Sequence, residues 1–192
     1  MARQRGKQLR IIGGEWRSRR LSFADAEGLR PTPDRVRETL FNWLAPIIDG
    51  ARCLDPFAGS GALGFEALSR GAAEVVMLDK QRSTIKQLQD NLRLLHCERA
   101  ELIHTDALSY LQQTAASPFD IVFLDPPYRQ NLLTPCMDLL ERQGWLKAEA
   151  YIYLELESEA ELPELPVNWQ LRHSKKAGQV AYHLACRHGS QS

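Results

Sequence analysis

The sequence predicts an α/β fold in which a mostly parallel sheet carries helices on both faces. From residue 51 onward, strand-like apolar segments alternate with segments of helical periodicity. The predicted strands are nearly continuous apolar runs, which is typical of parallel strands buried on both faces. Near the end of the chain the alternation stops, and two strand-like stretches flank a short turn at Gly178. This last pattern predicts an antiparallel hairpin that closes the sheet.

The alternating segments follow one another in a regular order. Strands are predicted at residues 51–56, 74–79, 100–104, 119–125 and 150–156. Helices are predicted near residues 61–70, 82–95, 106–114 and 131–143. The second helix has the clearest signal, because its apolar residues recur on one face: Ile85, Leu88, Leu92 and Leu95.

The residues before this alternation predict a small N-terminal extension. Apolar pieces around Gly13 and Gly14 are typical of a hairpin. Pro33 begins a helical spacing with Thr32 as its N-cap, and that helix should end near Ala45. The predicted organisation is a disordered basic leader (1–8), a hairpin and helix extension (9–46), a main domain (47–187) and a disordered tail (188–192).

The composition is that of a single globular domain. The 192 residues are 44% hydrophobic and 25% charged. No apolar run approaches the roughly 20 residues that span a membrane, and the N-terminus lacks the apolar core of a secretion signal. The four cysteines form no CxxC pair, so neither a zinc site nor a disulfide framework is indicated. We expect a cytoplasmic monomer without a bound metal.

The net charge is zero, but the charge is unevenly distributed. Residues 1–20 contain seven basic residues and only one acidic residue, Glu15. Residues 149–164 contain six glutamates and no basic residue. A basic end can bind phosphates, although a solvated leader has the same composition.

A glycine-rich loop follows the first predicted strand of the main domain. Gly59, Gly61 and Gly64 match a G-x-G-x-x-G pattern, and Asp79 follows at the end of the next strand. These glycines let a nucleotide approach the backbone, and the acid suits the hydroxyls of a ribose. NAD and S-adenosylmethionine both need such a loop, so the glycines do not separate them.

Two further acids separate the two cofactors. Asp55 lies at the carboxyl end of the first strand, where it would repel a pyrophosphate but suits a ligand that carries an ammonium and a sulfonium. Asp106 follows the third strand and could accept from an adenine amino group, although a helix N-cap is an equal interpretation. Three acids at three consecutive strand ends favour S-adenosylmethionine over NAD.

The fourth strand ends in a motif that indicates the reaction. The apolar run 121–124 is followed by Asp125, Pro126, Pro127 and Tyr128. Proline lacks an N–H and has a fixed φ, so the backbone carbonyls here stay available as acceptors. A carboxylate, fixed carbonyls and an aromatic ring suit a planar base that carries an amino group. The base would stack on Tyr128 and present its amine to Asp125 and Pro126.

These motifs resemble those of class I, Rossmann-like amino-methyltransferases. The residues involved are 55–64 (DPFAGSGALG), Asp79, Asp106 and 125–128 (DPPY). More narrowly, residues 10–17 (RIIGGEWR), 30–44 (RPTPDRVRETLFNWL) and 178–182 (GQVAY) resemble the RsmD family of bacterial 16S ribosomal RNA guanine-N2 methyltransferases. The resemblance extends from about residue 9 to residue 186.

The resemblance implies a seven-stranded sheet with an antiparallel last hairpin, and a substrate that is a partly assembled small ribosomal subunit. It places the cofactor on Asp55, Phe57, Ala58, Gly59, Gly61, Asp79, Asp106 and Ala107. It also implies that the start of the N-terminal helix caps the methionine end of the cofactor. Thr32, Arg35 or Arg37 could hold its carboxylate there, although these arginines could equally contact RNA phosphates or neighbouring acids.

The N-terminal hairpin is the predicted RNA contact. Guanidinium and indole groups suit phosphates and unstacked bases, and the candidates are Arg10, Trp16, Arg17, Arg19 and Arg20. Two other classes share part of this pattern: a DNA adenine-N6 methyltransferase and a non-catalytic RNA-binding module of the ribosome. The first uses the same DPPY chemistry but normally carries a large target-recognition domain. The second has no use for three cofactor acids beside a glycine loop.

Overall fold

The computed structural model describes residues 7–23 and 31–189. Two antiparallel strands form a small N-terminal hairpin, β1 (Lys7–Arg10) and β2 (Arg20–Phe23). Helix α1 (Asp34–Leu44) leads into the main domain. Its strands are β3 (Arg52–Asp55), β4 (Glu74–Asp79), β5 (Ala100–His104), β6 (Phe119–Leu124), β7 (Leu146–Glu157), β8 (Trp169–Ala177) and β9 (Val180–Arg187). Its helices are α2 (Ala62–Ser69), α3 (Arg82–Leu94), α4 (Ala107–Leu111) and α5 (Leu133–Arg142).

The seven strands of the main domain form one sheet in the order β5-β4-β3-β6-β7-β9-β8. The first five strands in this order, β5 to β7, run parallel to one another. Strand β9 pairs antiparallel with both β7 and β8. The predicted fold class, including the closing hairpin, is confirmed. The predicted neighbourhood of the first and fourth strands is also confirmed, because Cys53 of β3 pairs with Ile121 of β6.

The sheet separates two apolar layers, as its nearly continuous apolar strands require. One layer packs β1, β2, α1, α2 and α3 against the sheet, and includes Trp16, Phe41, Phe65 and Leu88. The other packs α4 and α5 against the opposite face, and includes Leu111, Met137 and Trp145. The N-terminal hairpin is therefore part of the core on one side of the sheet.

Several predicted boundaries change. Strand β1 begins at Lys7, so the last two residues of the predicted leader are ordered strand; residues 1–6 lie outside the described part. Strand β7 begins at Leu146 because this residue pairs with Phe119, which the apolar run at 150–156 does not reveal. The N-cap of α1 is Pro33, without a side-chain bond, so the prediction of Thr32 as the cap is wrong. In the predicted tail, His188 donates from its backbone N–H to Asn168, and residues 190–192 lie outside the described part.

Candidate active site

A cleft of about 1100 Å³ opens at the carboxyl ends of the parallel strands. It lies where the order of the sheet reverses, with β4 and β5 on one side of β3 and with β6 and β7 on the other. Such a switch point is where open α/β sheets bind ligands, because two neighbouring loops diverge there. Pro31 to Pro33 and the turn at Gly178 and Gln179 form its outer walls.

The glycine loop between β3 and α2 forms the floor of one half of the cleft. Phe57, Ala58 and Gly59 line the cleft, and Gly59 adopts a positive φ of 51° that favours glycine. Gly61 also has a positive φ, of 80°, but a side chain there would meet the ring of Phe65. Gly61 is therefore required for packing of the loop and does not itself line the cleft, contrary to its predicted role as a cofactor contact.

Acidic residues lie at the carboxyl ends of all five parallel strands around the cleft. In the order of the strands across the sheet they are Asp106, Asp79, Asp55, Asp125 and Glu155. The three acids predicted for the cofactor are thus brought together, and Asp125 lies across the switch point from the glycine loop. A pocket with this charge favours a cationic ligand and disfavours a pyrophosphate.

Asp55 is the most buried acid of the site. Its side chain is at the base of the cleft, the residue is only 1% exposed, and Oδ1 has no hydrogen-bond partner among the described residues. Burial, reinforced by the charge of Asp79, raises the pKa of Asp55 to about 7. A buried carboxyl oxygen without a partner is costly unless a ligand supplies a donor, and an ammonium would do so.

Asp79 is already bound to the glycine loop. Its Oδ2 accepts from the Gly59 N–H at 3.2 Å, and its Oδ1 accepts from the Gln81 N–H at 2.7 Å. Burial raises the pKa of Asp79 despite these bonds. Each carboxylate oxygen can accept a second hydrogen bond, so Asp79 can still bind the hydroxyls of a ribose while it fixes the loop.

Asp106 combines the two interpretations of its sequence position. It is the N-cap of α4, where its Oδ1 accepts from the Ser109 N–H at 3.1 Å. It also lines the cleft together with Ala107. The cap bond uses Oδ1, and an acceptor remains available on the same carboxylate.

The turn after β6 lies on the opposite half of the cleft. Asp125, Pro126, Pro127 and Tyr128 all line it, and Tyr128 is 38% exposed at its rim. Burial, with the negative charges of Glu155 and Asp55, raises the pKa of Asp125 well above its ordinary value. The structure therefore brings the predicted catalytic residues and the glycine loop to two sides of one cavity.

Glu155 and Tyr153 are site residues that the sequence analysis did not identify. Glu155 was counted within an acidic segment, but it is 4% exposed and lines the cleft at the end of β7. Its Oε2 accepts from the Tyr153 hydroxyl at 2.7 Å, and Thr32 lies between Glu155 and Asp125. The sequence feature that could have identified Glu155 is its position. It lies near the end of a predicted strand next to the strand of Asp125, with a tyrosine two residues earlier on the same face.

Known proteins resemble this chain over nearly its whole length. A family model described as "Conserved hypothetical protein 95" matches residues 9–186. Ribosomal RNA small subunit methyltransferase D of Escherichia coli strain K12 is 55% identical over 177 residues, which are 92% of this chain and 89% of that protein. The protein of the same name from Haemophilus influenzae is 49% identical over 180 residues, covering 92% and 93%.

A solved structure has the same fold. It is described as a putative methyltransferase, yhhF, from Escherichia coli, and has 53% identity and a TM-score of 0.89. The match covers 96% of this chain and all of that one. The chain belongs to the RsmD family. It is a methyltransferase, as the motifs at Asp55 and Asp125 predict.

Three residues predicted as cofactor or RNA contacts lie elsewhere than expected for this RsmD-family chain. Arg37 is 1% exposed, and its guanidinium donates to the carbonyls of Thr32 and Arg10 and pairs with Asp34 and Glu66. Those partners occupy it, so it is a structural residue and does not reach the cleft.

Arg35 and Trp16 are the other two. Arg35 is exposed on α1 and is not part of the lining of the cleft. Trp16 was predicted to contact RNA, but it is 6% exposed and packs in the core, with the Arg99 guanidinium 5.6 Å from its ring centroid. Its indole face is therefore not available to an RNA base. Neither the resemblance behind the Arg35 prediction nor the residue type behind the Trp16 prediction reveals which face of an element is buried.

The cleft of this RsmD-family chain fits S-adenosylmethionine, the cofactor of the family. Gly59 permits close approach, Asp79 suits a ribose, Asp106 and Ala107 suit an adenine, and the unpartnered Asp55 oxygen suits an ammonium. S-adenosylmethionine supplies an activated methyl group on a sulfonium when it is bound. Those residues would hold and orient the cofactor in this cleft.

The described residues also bear on membrane and metal binding. No helix there combines the length and the apolar character needed to cross a bilayer. Within residues 7–23 and 31–189, no three His, Cys, Asp or Glu side chains are grouped so that they could hold a metal ion.

Proposed function

We propose that the protein transfers the methyl group of S-adenosylmethionine to the N2 amine of one guanine in 16S ribosomal RNA. The substrate proposed is a partly assembled small ribosomal subunit in the cytoplasm, on which the enzyme acts as a monomer. The observation that carries the proposal is the position of the Asp125–Tyr128 turn, directly across the strand-order switch from the glycine loop. The relatives described above act on small-subunit ribosomal RNA by name, which supports the RNA substrate.

Asp125 supplies what an exocyclic amine lacks. The lone pair of such an amine is delocalised into the ring, so the nitrogen is a poor nucleophile. Hydrogen bonds from its N–H groups to the Asp125 carboxylate and the Pro126 carbonyl favour a pyramidal nitrogen and direct its lone pair at the methyl group. Asp125 does not have to be a strong base, since the amine becomes acidic only as the new bond to carbon forms.

Tyr128 lies where a flipped base would stack. Its exposed ring is three residues after Asp125 and on the same side of the cleft. Stacking of a base on an aromatic ring contributes about 1–3 kcal/mol. We propose that this contact holds the guanine plane while Asp125 and Pro126 hold its amine.

Basic residues of the N-terminal hairpin extend the proposed site towards RNA. A smaller groove of about 310 Å³ shares Pro31, Thr32 and Pro33 with the cleft and reaches Arg10 and Arg20. These two arginines are opposite each other on β1 and β2. A basic groove that begins at the proposed acceptor site suits the phosphates that flank an extruded base.

The test is mass spectrometry of small-subunit RNA from cells with and without the gene. We expect the loss of one N2-methylguanine, restored by the wild-type gene but not by Asp125→Ala. An Asp138→Ala gene is the matched control, because Asp138 is an exposed acid on α5. Asp125→Ala protein should still bind S-adenosylmethionine by calorimetry. Unchanged ribosomal RNA together with a lost N6-methyladenine in DNA would overturn the proposal in favour of the DNA enzyme.

A further inference from the structure

A single hydroxyl group lies between the two acids of the acceptor half of the cleft. Thr32 Oγ1 is 3.3 Å from Asp125 Oδ2 and 3.2 Å from Glu155 Oε2. The Tyr153 hydroxyl donates to the same Glu155 oxygen at 2.7 Å. Asp125, Thr32, Glu155 and Tyr153 therefore form one continuous chain of hydrogen bonds that begins at the proposed amine site.

The hydrogens in this chain do not suffice for two ionised carboxylates. The Thr32 hydroxyl has one hydrogen, so it can donate to Asp125 or to Glu155 but not fully to both. The second contact is a hydrogen bond only if one carboxyl group is protonated and donates to Thr32 Oγ1. The geometry thus points to a pair that holds one proton and a single negative charge.

Burial also favours a pair with one proton and a single negative charge. Thr32, Tyr153 and Glu155 are all nearly inaccessible to solvent, and a second uncompensated charge there would be costly. Burial is the main cause that raises the pKa of Asp125, of Glu155 and of the Tyr153 phenol. Two carboxyl groups bridged by one hydroxyl repel each other when both are ionised, which favours retention of one proton, as in other carboxyl pairs.

Among the described residues, the groups around Asp125 and Glu155 do not supply a compensating positive charge. Asp55 on β3 adds a further negative charge near Asp125, and Tyr182 on β9 is paired with Glu155 across the sheet. Glu157, two residues along β7, forms an ion pair with Arg129 at 3.4 Å. The guanidinium of Arg37 bonds to the Thr32 carbonyl and pairs with Asp34 and Glu66.

We propose that Glu155 is a positioning residue of the methyl transfer, which carries the shared proton while the amine is bound so that Asp125 is the anion. This inference rests on the proposed function, since it assigns a role to Glu155 at the same acceptor site. Glu155 acts through Asp125 and does not itself contact the reacting nitrogen.

The proton crosses by a balanced exchange of O–H bonds. When the proton is on Asp125, its O–H donates to Thr32 Oγ1, and the Thr32 hydroxyl donates to Glu155. Arrival of amine donors at Asp125 favours its anion. The Asp125 O–H bond then breaks as a new bond to Thr32 Oγ1 forms, and Thr32 passes its own hydrogen to Glu155. The pair keeps one proton and one negative charge throughout.

The first experiment detects the shared carboxyl proton by spectroscopy, without measuring turnover. In the wild-type protein, the infrared difference spectrum between neutral and alkaline pH should contain the loss of the shared carboxyl proton in addition to the titration of Asp55, whose pKa is about 7. Glu155→Gln should lack the loss of the shared proton, because Asp125 then no longer faces the charge of Glu155 across Thr32. Asp55 is present in both proteins and cancels in the comparison. Identical spectra for the two proteins would overturn the proposal, whatever the substrate of the enzyme.

The second experiment measures kcat and its pH dependence in variants of Glu155. Glu155→Gln resembles the protonated acid in shape and charge, so we expect it to retain more of the wild-type kcat than Glu155→Ala. It should also lack the alkaline decline in kcat that loss of the shared proton should cause in the wild type. Glu155→Ala, which leaves Thr32 and Tyr153 without their partner, should lower kcat about 10-fold or more. A Glu155→Gln variant as inactive as Glu155→Ala would mean that Glu155 acts as an anion, and would overturn the proposal.

Variants of the bridging hydroxyl separate proton sharing from packing. Thr32→Ser keeps the hydroxyl and should retain the wild-type pH profile and a higher kcat than Thr32→Val. Thr32→Val keeps the shape but not the hydroxyl, and we expect a loss in kcat of about 10-fold with unchanged affinity for S-adenosylmethionine. Equal activity of the two variants would contradict the bridge. If Asp125→Ala were active on RNA, the proposed function would fail, yet the infrared result on the pair would stand.

Discussion

Asp55 illustrates how a single residue can be unfavourable for the free protein and useful for binding. Its Oδ1 is buried without a partner, and its pKa is raised from 3.8 to about 7. Because the pKa of the folded state exceeds that of the unfolded chain, the ionised form destabilises the free protein. This destabilisation develops as the pH rises from about 4 to about 7. A cationic ligand reverses the balance, since it favours the ionised form.

We predict that affinity for S-adenosylmethionine depends on the protonation of Asp55. Below pH 7 the free carboxyl holds a proton that binding must release. The affinity should therefore fall by up to about tenfold for each unit by which the pH decreases. Calorimetry in buffers of different ionisation enthalpy measures both the affinity and the released proton. Asp55→Asn should bind more weakly at pH 8, without this pH dependence, and should melt at a higher temperature than the wild type at that pH. A proton release that persists in Asp55→Asn would assign it to another group.

At the scale of secondary-structure elements, helix α2 joins the cofactor loop to the N-terminal hairpin. Glu66 on α2 is fully buried and accepts from the Ile12 and Gly13 N–H groups, both at 2.9 Å. It also pairs with Arg37 of α1 at 3.4 Å and with Arg70 at 2.8 Å. One carboxylate thus fixes three elements relative to one another. The segment that carries the proposed RNA contacts is positioned by the same helix that follows the glycine loop.

Glu66→Gln tests this connection. The variant keeps the shape but leaves the buried Arg37 guanidinium without a full counter-charge. It also replaces one of the two acceptor oxygens by an NH2 group, which would face a backbone N–H donor. We expect a loss of about 3–5 kcal/mol in the free energy of unfolding, measured by urea denaturation. Glu38→Gln is the matched control, because Glu38 is exposed on α1, and it should change the stability by less than about 0.5 kcal/mol. A loss no greater than that of the control would mean that the network contributes little.

For the molecule as a whole, local patterns were sufficient to predict the fold but not the partners of individual side chains. The order of strands and helices follows from apolar periodicity, and the acids at strand ends follow from the strands. The roles of Arg37, Trp16 and Glu155 depend on contacts between distant parts of the chain, such as Arg37 with Glu66 and Glu155 with Thr32. Their residue types suggested a surface or a cofactor contact, and only tertiary packing reveals that they are buried.

The same packing changes how the basic N-terminus has to be tested. Deletion of residues 1–20 would remove Leu9, Ile11 and Trp16 from the core, so a weaker reaction could reflect partial unfolding. Exposed arginines of the hairpin can be changed without that loss. Arg17 and Arg20 are exposed, and Arg20 also borders the groove that adjoins the cleft.

We predict that the double variant Arg17→Gln, Arg20→Gln binds its RNA substrate more weakly and with a smaller dependence on salt. Each arginine that contacts a phosphate should contribute about 0.7 to the slope of log affinity against log salt. The slope is measured by titration of small-subunit particles at several salt concentrations. Arg142→Gln is the matched control, because Arg142 is exposed on α5, which packs on the opposite face of the sheet. If the double variant had the same slope as Arg142→Gln, the hairpin would not contact phosphates, and the RNA would have to approach the cleft from another side.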